Sequence, residues 1–157
     1  MNAKPGVLDM LNRALTTELT AINQYIVQAE MCRNWGYDRL GAKLHAISLE
    51  EMEDTGKLIK HILFLDGIPN MQRLNQVRVG ENVSEHLALD LELERTAAAE
   101  LVEAITHCAQ VGDYNTRRMF EEMLSGEEEH VDWFETQLET IRQIGIENYL
   151  SQQLGKE

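Results

Sequence analysis

Two pairs of glutamates set at the same interval constrain this chain more than any other feature. Glu51 follows Glu18 by 33 residues, and Glu127 follows Glu94 by 33. Asp54 stands three residues after Glu51, as His130 does after Glu127. A shift of 76 residues carries Glu18, Glu51 and Asp54 onto Glu94, Glu127 and His130, and carries Cys32 onto Cys108. Such a repeat reads as two helical hairpins related by an approximate two-fold, each supplying half of one site.

The intervals between these residues are helical. Only two prolines occur, and Ala, Leu, Glu, Gln and Met, all good helix formers, are plentiful. Breakers gather at 34–38 (NWGYD), between Gly67 and Gly80 around Pro69 and Asn70, at Gly112, and at Gly145. They predict an all-α single domain over 1–157. Its long helices fall near 6–34, 39–65, 83–110 and 113–144, with a short fifth helix over about 146–154. The first and third connections are short, so each joins an antiparallel hairpin. The middle one, Asp66 to Asn82, is long enough when extended to run the length of a helix, which permits one crossover with the second and third helices parallel.

Apolar residues spaced alternately three and four apart mark the buried seams. The first reads Leu11, Leu15, Glu18, Ile22, Tyr25, Ala29, Cys32, and the second Leu40, Leu44, Ile47, Glu51, Asp54, Leu58. The third reads Leu87, Leu91, Glu94, Ala98, Leu101, Ile105, Cys108, and the fourth Phe120, Met123, Glu127, His130, Phe134. Each seam is interrupted by a carboxylate at one level. Counted outward from the two short turns, the six polar positions agree to within about a turn at 1.5 Å per residue, so they form one layer.

Buried carboxylates without a positive partner cost several kcal/mol each. His130 is the only basic side chain on the seams at that level, so bound cations are the natural partners. A donor set rich in oxygen with an imidazole suits iron or manganese. Two such ions sharing carboxylates can each give an electron to one O2 or peroxide. Tyr25 lies two turns beyond Glu18, where a phenol either donates a hydrogen bond or an electron to the site or simply fills core space. Cys32 and Cys108 fall near opposite ends of the bundle, on the order of 40 Å apart, beyond the reach of a disulfide.

The formal charge of −13 excludes a nucleic-acid partner, whose phosphates demand a basic face. No run of about eighteen apolar residues is present and the first apolar stretch is short, so the expectation is a soluble cytoplasmic protein with no membrane segment.

From VLDMLNRALTTELTAINQY through NWGYDRL, ILFLDGIPNMQRL and EEEHVDWFETQLETIRQIGIENYL, the chain resembles the bacterioferritins along essentially its full length. The resemblance implies a ferritin-like four-helix bundle and a hollow shell of twenty-four copies. Such a shell oxidises ferrous iron and stores the ferric mineral. It implies two irons per subunit, with Glu51 and Glu127 bridging them, Glu94 and His130 completing one and Glu18 serving the other. Met52, inside EEMED, matches the haem-ligating methionine, two of which grip one haem b shared between two subunits. By spacing alone Met52 turns away from the seam and would be an ordinary gap filler. A ferredoxin-type reductant for iron release belongs to the same expectation.

Two departures from the family pattern stand out. Asp54 occupies the position of a second histidine. Ala46 and Gly126 replace the His and Asp that many members use for an iron site on the inner surface, where Glu50 is a conservative change. These motivate an alternative: a haem-carrying shell subunit with an impaired centre that co-assembles with a catalytic bacterioferritin subunit. A peroxidase of the rubrerythrin kind uses the same bundle but adds a cysteine-ligated module, and no Cys-x-x-Cys occurs here.

Overall fold

The computed structural model describes residues 1–155; positions 156 and 157 of the expected domain lie outside the described residues. Five helices follow in order: α1 Val7–Asn34, α2 Asp38–Phe64, α3 Val83–Val111, α4 Tyr114–Ile144 and α5 Ile146–Ser151. No strand occurs among the described residues. The long helices begin and end where the breakers predict, to within a residue. The Asn82 side chain caps α3 by accepting from the Glu85 amide at 2.9 Å, and Asp113 caps α4 by accepting from the Thr116 amide at 3.0 Å. Gly112 closes α3 with φ 77°, a left-handed conformation that only glycine adopts without cost. The fifth helix is shorter than predicted. After Ser151 the chain turns, and the Gln153 carbonyl accepts from the Arg39 amide at 3.0 Å, satisfying a donor at the start of α2.

The crossover runs along α1, and side chains of α1 hold it there. Asn12 Nδ2 donates to the Ile68 carbonyl and Asn12 Oδ1 accepts from the Asn70 amide. Further along, Thr20 Oγ1 accepts from Asn75, Gln24 Oε1 accepts from Arg78, and Gln28 Nε2 donates to the Val79 carbonyl. Loop and helix therefore advance in the same direction, which delivers α3 to the end of the bundle where α1 finishes and makes α2 and α3 parallel. These contacts explain why Thr20, Gln24 and Gln28 are buried although they lie off the predicted seam. They give the extended backbone the hydrogen-bond partners it lacks internally.

The apolar interior is divided in two. One cluster packs Val7, Leu11 and Leu15 with Leu58, Ile62, Leu101, Cys108, Phe120 and Met123. The other packs Tyr25, Ala29 and Cys32 with Leu40, Leu44, Ile47, Leu87, Leu91 and Phe134. Cys32 and Cys108 are free and buried, one in each cluster, as their positions in the repeat predict. On α3 the buried line runs through Ala97 and Ala104 rather than Ala98 and Ile105, because an unstrained helix drifts from a strict heptad.

Gly41 lets α1 and α2 approach closely: a Cβ there would lie 2.9 Å from the Ala29 carbonyl oxygen. Gly56, also on α2, has nothing within 4 Å of the same position. Chemical denaturation should therefore show Gly41→Ala losing about 1–3 kcal/mol, whereas Gly56→Ala gains about 0.5–1 kcal/mol.

Candidate metal centre

Between the two apolar clusters the four helices present their carboxylates to one another. Glu18, Glu51, Glu94 and Glu127 are each no more than 2% exposed, and His130 is 8% exposed. Ligand atoms of Glu51, Glu94, Glu127 and His130 lie within 4.8 Å of one another, and so do those of Glu18, Glu51, Asp54 and Glu127. Glu51 and Glu127 belong to both groups. The structure thus brings together all six residues singled out by the repeat, with Asp54 half-buried at the margin.

His130 faces the layer through Nδ1, which lies 3.0 Å from Glu51, 3.5 Å from Glu94 and 3.7 Å from Glu127. Tyr25 donates from its hydroxyl to Glu94 Oε1 at 2.5 Å, and its ring stacks on Phe134 with centroids 5.9 Å apart. The phenol therefore both fills core space and donates to the site.

The polar atoms of this layer are under-satisfied. Glu18 Oε2, Glu51 Oε1, Glu94 Oε2, both oxygens of Glu127 and His130 Nδ1 are buried without a hydrogen-bond partner. Such groups are rare in folded proteins and each is costly. Burial, then repulsion from Glu51 and Glu127, holds Glu18 well above the usual carboxylate range. Burial, then Glu127 and Glu51, does the same to Glu94. Burial likewise pushes Glu51 up to about 7 and Asp54 to about 6. For His130, burial opposes the charged form, but Glu127, Glu51 and Glu94 outweigh it and raise the imidazole far above its ordinary range. A layer so rich in carboxyl groups, with so many unpartnered oxygens, fits cations that displace its protons. One group offers three carboxylates and an imidazole, the other four carboxylates, donors that suit iron or manganese.

Three features were not legible from the seams. Glu50, although its side chain is 58% exposed, accepts from His130 Nε2 at 2.5 Å. Asp90, one turn before Glu94, is buried and accepts from Gln24 Nε2 at 2.8 Å, while burial pushes its carboxyl to about 8. His86 lies buried in the same region, its ring stacked on Trp35 at 5.4 Å and its Nδ1 2.6 Å from the Val79 carbonyl. The Asp90 and His86 pattern sits at i and i+4 on α3 and is visible in retrospect, but its partners are the crossover backbone and α1. Ala46 and Gly126 carry no donor atoms: Ala46 is exposed, and nothing lies within 4 Å of a Cβ built on Gly126. Met52 is 48% exposed on the outer side of α2, one turn from the equally exposed Leu49.

Comparison with known proteins agrees with this architecture. A family model described as a ferritin-like domain matches residues 8–144. Among curated proteins, the chain is 42% identical to a bacterioferritin of Brucella melitensis over 149 residues, covering 95% of this chain and 92% of the relative. It is 41% identical to a bacterioferritin of Mycobacterium avium over 152 residues, covering 97% and 96%. A bacterioferritin of Rhodobacter capsulatus is 40% identical over 95% of this chain and 92% of its own length. Fold and site thus define a ferritin-like helical bundle with a carboxylate layer at its centre. Within that class, the chain belongs to the bacterioferritin family.

Metal binding must displace the protons held in the layer. Glu51 and Asp54 are protonated below their raised values of about 7 and about 6, so protons compete more strongly as pH falls. Anaerobic titration with Co(II) as a redox-inert probe should give binding at least about tenfold weaker at about pH 5.5 than at about pH 7.5, with proton release in unbuffered solution.

Proposed function

We propose that this chain is an iron-storage subunit that binds two ferrous ions and oxidises them. The observation carrying this reading is the pair of four-residue ligand groups joined through Glu51 and Glu127, with unpartnered oxygens of Glu18, Glu51, Glu94 and Glu127 in one buried layer. Glu94 and His130 complete the first group. Glu18 and Asp54 complete the second. Two ions held side by side supply two electrons to one oxidant molecule. The protein's own contribution is to hold the ions, exclude water through the flanking apolar clusters, and position a phenol. Tyr25 donates to Glu94 and so steadies a ligand of the first ion.

Family membership supports assembly into a shell, which we take to hold twenty-four subunits around a ferric mineral and to be served by a ferredoxin-type reductant for release. The absence of any helix long and apolar enough to cross a membrane, among the described residues, agrees with a soluble shell, which we place in the cytoplasm. Met52 supports a haem role through its chemistry and position. An exposed thioether beside Leu49 on an outer helix face leaves sulfur free to meet a haem iron at a two-fold contact.

Asp54 supports a second reading. Its group holds no imidazole and adds a negative charge where a neutral ligand would sit, so the ion there is held differently. If this half is impaired, the chain serves as a haem-carrying shell subunit that co-assembles with a catalytic partner.

Anaerobic ferrous titration of the assembled protein distinguishes the two. The leading reading expects two ions per subunit and rapid oxidation on aeration. One ion per subunit with slow oxidation, together with a large gain on Asp54→His, favours the second. Tyr25→Phe should leave the stoichiometry intact and slow oxidation by about tenfold, the effect of losing one hydrogen bond of about 1.4 kcal/mol to a ligand.

A further inference from the structure

Glu50 and Glu51 are neighbours on α2, yet they do different things. About 100° of helical rotation separates them. Glu51 points into the carboxylate layer and is 1% exposed, whereas Glu50 leans over its rim with its side chain 58% exposed. From there Glu50 Oε2 meets His130 Nε2 at 2.5 Å. The opposite nitrogen of that ring, Nδ1, is the one that faces Glu51, Glu94 and Glu127. The imidazole is thus clamped between an outer carboxylate and the inner ones.

We infer that Glu50 is the positioning residue for the His130 half of the centre. By accepting from the Nε2–H it fixes the tautomer whose Nδ1 lone pair points at the metal, orients the ring, and makes that nitrogen a stronger donor. The chemistry is that of any metal-bound histidine whose second nitrogen donates to a carboxylate. A charge-assisted hydrogen bond of this length holds its geometry more firmly than a neutral one. Ala46, one turn earlier on α2, and Gly126 on α4 bring no donor atoms to compete for the Glu50 carboxylate. The Glu18–Asp54 half contains no imidazole, so Glu50 has no lever on it.

This asymmetry supplies the test, which rests on the two-ion reading. The assembled protein and its Glu50→Ala and Glu50→Gln variants are titrated anaerobically with Co(II), following the visible absorption bands that report nitrogen ligation. In Glu50→Ala one equivalent should weaken by about 10–100-fold with altered bands, while the other is unchanged. Glu50→Gln keeps an acceptor without the charge and should fall between. In a His130→Ala background, Glu50→Ala should have no further effect on either equivalent. Metal-free thermal unfolding controls for a folding defect: an unaltered midpoint with the selective loss supports the inference. Equal weakening of both equivalents, no weakening, or a loss that persists without His130 overturns the role of Glu50 alone. Failure of the unmodified protein to bind two Co(II) ions overturns the two-ion reading and this inference with it.

Discussion

Four glutamates from four helices, forced together away from water, are the constraint on which the rest of this structure depends. Like charges at such separations repel strongly in a dry interior, and each loses its hydration. Protons relieve the layer in the metal-free chain, which is why Glu18, Glu51, Asp54 and Glu94 all hold them more tightly than an exposed carboxylate does. Cations would relieve it better, because they also satisfy the orphaned oxygens. The apolar clusters on either side keep the helices packed despite the strain between them.

The crossover is the second determinant. A bundle of four antiparallel neighbours could be built with three short turns, but its third helix would then run the opposite way. The long connection instead reverses the second hairpin, so the two hairpins meet as approximate two-fold mates and their carboxylates coincide at one level. The polar side chains of α1 that clasp the crossover are thus part of how the carboxylate layer is assembled.

Most of this was legible from the chain because the signal is periodic. The breakers located the helices, and seam spacing together with the repeat located the layer and gave Glu18, Glu51, Glu94, Glu127 and His130 together with Asp54. Helix ends were placed well where a glycine or a capping side chain marks them, as at Gly112 and Asn82. The extent of α5 was not, since a docking contact between Gln153 and Arg39 ends it rather than any local breaker. Thr20, Gln24 and Gln28 of α1 were missed because their partner is a loop, which leaves no hydrophobic rhythm. Glu50 escaped for the opposite reason: an exposed residue on a charged face gives no sign that it reaches a histidine 80 positions away.

The two cysteines acquire a meaning that the question of a disulfide does not exhaust. Burial, assisted by Asp90, pushes the Cys32 thiol up to about 12, and burial with Asp113 pushes Cys108 up to about 11. The nucleophile in sulfur oxidation is the thiolate, and at neutral pH almost none exists at either position. Both cysteines are therefore held as thiols, the form least open to oxidation. Each apolar cluster thus contains a sulfur atom that packs as a small apolar group and stays out of thiolate chemistry.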